Sequence, residues 1–391
     1  MSKRIFYSVI ILLSISIIMV YSLSAYTVIS FGYSPTHFLQ KQISAAIISI
    51  LLMWIISQFN IDNFLPWFGW LLLIGSFTCI LFMPLLPESL ASSAGGAKRW
   101  IRLAGFSLAP LEFFKVGFVF FLAWSFARRF SHTHQISYVE EIIKFSPYIV
   151  VFMICGGTIA VLQNDFGQVF LLAITMSLML LFSGGKLKTI TFISLLCLVG
   201  AFIVIISSPH RIDRVATWWS VAQDFVLSIF PSGIAERLRV EDFPEPYQIF
   251  YAGSAIWNGG LFGNGVGDGI VKLGFLSEVH TDMILAGIAE EIGFIGVFLL
   301  ILLFVFGILH PILKIANRIE NKMYSLFCLG VVCLLCFSLL INAFGVTGLI
   351  PIKGIAVPFL SYGGSSMMAN CIALGLVLAI AKKLPSQKIT I

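Results

Sequence analysis

An all-α, polytopic membrane protein is the fold class this sequence predicts, and three observations carry the prediction. Of its 391 residues 59% are hydrophobic and only 11% charged, with a mean hydropathy of +1.01, whereas a soluble domain carries about 25% charged residues. Ten apolar stretches are long enough to cross a hydrocarbon core of roughly 30 Å. The basic residues are distributed unevenly among the loops between them.

The stretches run over 6–30, 43–59, 64–83, 109–127, 142–162, 165–182, 187–206, 281–309, 323–348 and 360–381. The first follows Lys3 and Arg4 and imitates a signal peptide, but its apolar run is long and further spans follow, so it reads as a retained anchor. Ten spans put both termini on one side. Thirteen of the 24 Lys and Arg lie at the termini and the even-numbered turns, including Arg128, Arg129, Lys144 and Lys322. The short loops opposite hold five: Lys41, Lys98, Arg99, Arg102 and Lys353. The positive-inside rule therefore predicts cytoplasmic termini and one large outer loop over about 207–280. The chain reads as a single membrane domain, 1–391. Its net charge of +6 reflects the cytoplasmic flanks rather than a nucleic-acid surface. All seven Cys fall inside predicted spans, without disulfide or zinc spacing.

Within the outer loop, "ATWWSVAQDFVLSIF" has apolar residues at helical spacing. Two readings stay open: an amphipathic helix in the outer interface, where Trp rings favour the headgroup level, or a partly buried cap on the bundle. "NGGLFGNGVGDG" (258–269) lacks the βαβ context of a dinucleotide fingerprint and reads as a flexible backbone turn.

Polar residues, placed by depth, gather at one end of the spans. Lys41 precedes span two; Lys98, Arg99 and Arg102 precede span four; Glu112 and Lys115 fall in that span's first turns. Asp165 opens span six, Arg211 and Arg214 follow span seven, and Asp282 opens span eight. Lys353, Ser361, Tyr362, Ser365 and Ser366 surround the start of span ten. All lie near the outer face, which points to a polar cavity open to the outside. Basic residues in the short loop before span four run against the topology bias, which favours anion binding over solvated charge. Glu112 and Lys115 share a helix face and read first as a structural ion pair, although ionisable groups in a span are functional candidates. Asp165 in "QNDFG" reads equally as an N-cap. Ser365 in "PFLSYGGSS" reads equally as small-residue packing.

"FLSEVHTDMILAGIAEEIGFIG" (275–296) concentrates acid in an apolar helix. Asp282, Ala286, Glu290 and Gly293 recur on one face. Asp282 falls in the expected first turn, where the helix dipole favours its anion, and Glu290 lies roughly 12 Å deeper. Asp282 is thus the candidate for chemistry at the water boundary. Glu290 is a structural residue that needs a buried partner, and Glu291 has no partner the sequence identifies. "EVHTD" does not match a helical metal spacing.

These residues also carry a resemblance. "GGAKRWIRLAGFSLAPLEFFK", "QNDFG", "RIDR", "GNGVGDGIVKLGFLSEVHTDMILAGIAEEIGFIG" and "INAFGVTGLIPIKGIAVPFLSYGGSS" resemble, in order along nearly the whole chain, the signature segments of the SEDS family (shape, elongation, division and sporulation). Lys353 in its segment and "GVGDGIVKL" are more similar to the division branch than to the elongation branch. The resemblance implies a ten-span glycosyltransferase of the cytoplasmic membrane, acting at the division septum. It would polymerise lipid II, the undecaprenyl-diphosphate-linked disaccharide peptide of peptidoglycan, beside a class B penicillin-binding transpeptidase and other division proteins. It places the family's essential aspartate on Asp282, its Glu and Lys of the P-S-E-x-x-K segment on Glu112 and Lys115, and its Asp after span five on Asp165. Departures are Lys41 for the family's Arg, which loses a bidentate fork, and Leu111, Asn164 and Ser277 within the motifs.

The implied chemistry is inverting glycosyl transfer. A carboxylate, Asp282, would accept the proton of the attacking sugar hydroxyl. Lys98, Arg99, Arg211 and Arg214, with or without a divalent cation (magnesium or manganese), would stabilise the leaving diphosphate. No other cofactor is implied. The rivals are a flippase or transporter, which calls for polar residues through to the cytoplasmic ends and internal repeats, and a non-catalytic division scaffold, which would tolerate loss of Asp282. Neither transporter feature is evident.

Overall fold

The computed structural model describes residues 2–94, 96–103, 106–130, 137–206, 209–228, 230–240, 247–351 and 354–384. Among the described residues eight helices are long and apolar enough to cross a membrane: Ser2–Leu23, His37–Gln58, Ile61–Leu85, Pro110–Arg129, Tyr138–Leu162, Ile284–Arg318, Lys322–Val346 and Gly364–Ala381. The other two predicted spans are also helices, Phe166–Phe182 and Leu187–Ile206. The ten segments read from hydropathy are thus ten helices, numbered below as spans in chain order.

Their starts follow local chemistry. Asn60 begins span three early by accepting from the Asp62 N–H at 3.2 Å. Pro110 opens span four where a missing N–H costs nothing. Of these eight, spans four, nine and ten are the most enclosed, with 72% of each apolar window buried against 28–44% in the other five. Between lipid-solvated helices the net driving force is close van der Waals packing rather than burial from water. Span four supplies it with Phe114, Phe118, Phe120 and Phe126, all fully buried.

The loop between spans three and four is a structural element that hydropathy did not predict. It forms an antiparallel sheet of β1 (Ala91–Ala94), β2 (Ala97–Leu103) and β3 (Phe106–Leu108), in the order β1-β2-β3. Gly96, at φ 78°, supplies the left-handed residue of the tight β1–β2 connection. Lys98 and Arg99 therefore stand on a strand rather than on a solvated loop. The end of the bundle carrying this sheet is called the sheet end.

The described part of the large loop carries three helices, Pro209–Leu227, Ser232–Leu238 and Tyr247–Gly259. Helix Pro209–Leu227 contains the Trp-rich stretch, and Trp218 donates from its ring N–H to the Gly348 carbonyl at 2.8 Å at the end of span nine. That bond supports the bundle-cap reading over the interface reading. Helix Tyr247–Gly259 follows and leads into the glycine turns.

Those turns are packed against span eight, which breaks at Gly293 (φ 70°, ψ 179°). Asn264 and Gly265 donate their backbone N–H to the carbonyls of Glu290 and Glu291 at 3.0 and 2.9 Å. Phe294 and Ile295 donate back to Gly260 and Leu261 at 2.9 and 3.1 Å. The backbone groups freed by the break are thus satisfied within the protein, as non-helical backbone at membrane depth must be. A Cβ at Gly263 would meet the Glu291 carbonyl oxygen at 2.3 Å, and Gly263 has φ +79°. Close approach, rather than the flexibility expected from sequence, accounts for glycine here.

Candidate functional site

The site is built around the turn that precedes span eight. Ile284, not residue 281, is the first helical residue, and Met283 is its N-cap. Asp282 therefore lies outside the first turn, and the expected dipole stabilisation of its anion gives way to another effect. Burial pushes the Asp282 carboxyl up to about 7, with the charges of Glu278 and Asp165 adding to the rise and Arg99 opposing it. Among the described residues no hydrogen bond reaches its carboxylate, and a Cβ on Gly354 would stand 3.0 Å from the Asp282 Oδ2. Glycine at 354 thus keeps the space in front of that oxygen open.

The backbone beneath Asp282 is held firmly although its side chain is not. Asn342 of span nine donates from Nδ2 to the Asp282 carbonyl at 2.7 Å and to the Ile355 carbonyl at 2.8 Å. Ser361 Oγ donates to the Thr281 carbonyl at 2.7 Å and accepts from the Val357 N–H at 2.8 Å. Tyr362 N–H reaches the His280 carbonyl at 2.9 Å. Below them Gln42 Nε2 donates to Ser16 Oγ at 2.8 Å. The Phe38, His280 and Tyr362 rings pack edge to face at 4.8 and 5.1 Å. Burial holds the His280 imidazole below its usual range, so it is a neutral packing group at pH 7.

Asp165 caps span six, accepting from the Gln168 N–H at 3.2 Å, so the N-cap reading describes its geometry. It also belongs to the field of the site: burial raises its carboxyl, Arg99 and Lys115 oppose that, and Glu112 reinforces it. Glu112 and Lys115 form the ion pair read from their spacing, at 2.9 Å, and Lys115 Nζ also donates to Gln168 Oε1 at 3.0 Å. Span four is thereby fastened to span six. Arg99 of β2 donates from Nε to the Gln163 carbonyl at 2.8 Å and from Nη2 to the Asn164 carbonyl at 3.0 Å. Its charge acts on both Asp165 and Asp282. The sheet end thus brings Arg99, Glu112, Lys115, Asp165 and Asp282 into one electrostatic neighbourhood.

The side chains of Lys98 and Ser365, also expected at the site, are engaged with backbone carbonyls. Lys98 Nζ donates to the carbonyls of Pro84 and Leu86 at 3.2 and 2.5 Å, so it anchors the sheet to span three instead of presenting a free cation. Ser365 Oγ donates to the Ser107 carbonyl at 3.0 Å and accepts from the Ala109 N–H at 2.8 Å, joining span ten to the sheet. Lys41 is exposed on span two. Lys353 and the side chains of Arg211 and Arg214 lie outside the described residues. Glu290 has the buried partner it was expected to need: it accepts from the Ile270 and Val271 N–H groups at 2.9 and 3.0 Å. Glu291, which had none in the sequence reading, pairs with buried Lys272 at 2.6 Å. Lys272 in turn donates to Ser22 Oγ at 3.0 Å and to the Gly267 carbonyl at 2.6 Å. The sequence alone assigns no role to Lys272, Asn342 or Glu278. A lone Asn in the apolar run of span nine was the available signal for one of them.

Residues 3–385 match the family model that unites FtsW, RodA and SpoVE and is described as cell cycle protein. The chain is 50% identical over 385 residues to a protein of Helicobacter pylori (strain ATCC 700392 / 26695) named probable peptidoglycan glycosyltransferase FtsW, covering 97% of this chain and 98% of that one. This chain belongs to the FtsW/RodA/SpoVE family. A Bacillus subtilis (strain 168) family member with the same name is 31% identical, covering 96% of this chain and 89% of its own. The family fold is met again in the rod shape determining protein RodA of Thermus thermophilus, with a TM-score of 0.64 at 20% identity and coverage of 97% and 95%. A chain from a peptidoglycan synthase complex that coordinates polymerization and crosslinking gives 0.69 at 19% identity, covering 96% of this chain and 97% of that one.

As to a metal, no group of three or more His, Cys, Asp or Glu is placed to hold an ion among the described residues. Asp165 and Asp282 are two carboxylates of the sheet end, near enough for the charge of Asp165 to act on Asp282, and magnesium is commonly held by one or two carboxylates together with substrate phosphates.

Proposed function

We propose that this protein is a peptidoglycan glycosyltransferase that polymerises lipid II at the outer face of the cytoplasmic membrane during cell division. The observation that carries the reading is Asp282: a carboxylate with no hydrogen bond from a described residue, held on a fixed backbone and poised near neutrality. A general base works best when its pKa lies near the operating pH. The relatives' names supply the substrate class.

In this reading the sheet end faces outward and both termini are cytoplasmic. An acceptor hydroxyl enters the space in front of Asp282 Oδ2, loses its proton to the carboxylate and attacks the anomeric carbon of the donor sugar. The glycosidic bond to diphosphate breaks on the opposite face, which inverts the centre. The leaving oxygens need positive charge. Arg99 is positioned to contribute to it, and Lys41, Arg211, Arg214 and Lys353 are the further cations that the sequence assigns to this role. Lys98 and Ser365 act on the fold that presents these groups, and the Glu112–Lys115 pair fixes the wall between spans four and six. Were magnesium or manganese to take part, Asp165 would hold it and its charge would help stabilise the leaving diphosphate, with Asp282 left for the proton. The partners are a class B penicillin-binding transpeptidase and other proteins of the division septum.

A transport path would have to continue beneath Asp282. Glu290 and Glu291 are instead sealed by backbone N–H groups and Lys272, and span eight beyond them is apolar. The test supplies lipid II to the purified protein with its transpeptidase. Glycan strands are expected, with chelator slowing their growth if a divalent cation takes part. Movement of intact lipid II between leaflets without polymer would overturn the reading.

A further inference from the structure

At the end of the bundle away from Asp282, a cavity of about 300 Å³ opens between span four and span five. Phe121, Trp124, Tyr148 and Val151 form its apolar walls, and Arg128 and Arg129 stand at its mouth. The Arg128 guanidinium lies 4.0 Å from the Trp124 ring centroid, and that of Arg129 lies 5.9 Å from the centroid of Tyr148. Both arginines are exposed, and among the described residues neither has an ion pair or a side-chain hydrogen bond. Lys144, exposed one turn before Tyr148 on the same face of span five, adds a third positive charge. Glu140, one turn further out, accepts from the Ser137 N–H at 3.2 Å and so closes its own helix end.

The arrangement has the form of an amphiphile's complement. Stacking on an aromatic ring orients a planar guanidinium and leaves its N–H edge available, a fork that matches phosphate oxygens two at a time. Directly beneath, the apolar cleft offers hydrocarbon a groove between two helices. A soluble anion would leave that cleft unused, and a neutral lipid would leave two cations unmatched. Basic pockets between transmembrane helices suit anionic lipid headgroups for this reason.

We propose that this cleft is a binding site for a diacyl anionic phospholipid, with its phosphate on Arg128 and Arg129 and one acyl chain along Phe121 and Val151. The topology proposed above puts the site in the cytoplasmic leaflet, but binding itself does not depend on that topology.

Native mass spectrometry of the full-length protein, titrated separately with phosphatidylglycerol, phosphatidylcholine and undecaprenyl phosphate, tests the site. Phosphatidylglycerol adducts are expected to survive detergent release while phosphatidylcholine adducts do not. Arg128→Gln with Arg129→Gln is expected to weaken the phosphatidylglycerol complex about thirty-fold, taking each basic residue near an anionic headgroup at its usual strength. Val151→Trp fills the cleft, leaves both arginines, and is expected to lose the adduct too. It serves as the independent variant if the double substitution does not fold. Equal retention of phosphatidylcholine, unchanged binding by both variants, or a preference for undecaprenyl phosphate would overturn the proposal. Lipid II polymerisation by the same variants is expected to persist in detergent, so failure here is distinct from failure of the glycosyltransferase reading.

Discussion

At the residue scale, Asp282 shows burial overcoming a helix terminus. A carboxyl in the first turn would be held low by the dipole; two residues earlier, partly desolvated and beside Glu278 and Asp165, it rises to about 7. Two consequences follow with definite sign. As a base it must be ionised, so the polymerisation rate is expected to rise with pH and level off above about 7; a rate profile flat from pH 5.5 to 8.5 would contradict this. Because its pKa is raised above the ordinary carboxyl value of about 3.9, its contribution to stability is fully present below pH 4 and is lost as pH rises through 7. Asp282→Asn is therefore expected to raise the melting temperature at pH 8 by more than at pH 5, read by thermal denaturation at the two pH values. Asn342 is a positioning residue for the same turn. Asn342→Ala is expected to lower kcat about tenfold or more with little change in KM, since a misplaced base loses rate rather than binding. A change confined to KM would show that Asn342 acts elsewhere. The sequence made Asp282 visible through its position, but not its free carboxylate. The latter depends on Gly354 and on Asn342, 60 residues away.

At the element scale, the broken span eight and the glycine turns form one unit. Four backbone hydrogen bonds cross between 260–265 and 290–295, and the side chains of Glu290 and Glu291 reach the segment just beyond. Gly263→Ala adds a Cβ 2.3 Å from a carbonyl oxygen and strains a positive φ, so a melting temperature several degrees lower is expected in a thermal scan. An unchanged value would mean the turns are not packed as described. The buried Lys272–Glu291 pair gives a sharper test. Lys272→Met alone leaves a buried carboxylate unpaired and is expected to destabilise by about 3–5 kcal/mol, and Lys272→Met with Glu291→Leu is expected to recover much of it. Additive losses in the double-mutant cycle would show that the pair is not coupled. The acids of span eight could be sorted by depth from sequence. Their partners could not, because Lys272 lies in a segment that reads as loop and only folds back against Glu291 through the glycine turns.

At the scale of the whole molecule, ten helices were legible because hydrocarbon demands long apolar runs and helices satisfy their own backbone. What hydropathy does not encode is the structure of polar connections. The three-stranded sheet lies where hydropathy predicts only a short loop, and the signal for it is local: "AGGAKRWIRLAGF" carries glycines between short runs, as a hairpin does. The sheet matters because it carries Lys98 onto span three and Arg99 onto the turn before Asp165. Glu112, Lys115 and Arg99 act on Asp165, and Asp165 and Arg99 act on Asp282, so side chains from spans four and six and from the turn before span eight share one electrostatic field at the sheet end. The most direct test is lipid II polymerisation by the purified protein with the transpeptidase proposed as its partner, comparing wild type with Asp282→Asn. The account expects glycan strands from the wild type and a loss of about 10²–10⁴-fold in the variant, as removal of a general base entails. Polymer formed by Asp282→Asn at the wild-type rate would contradict it.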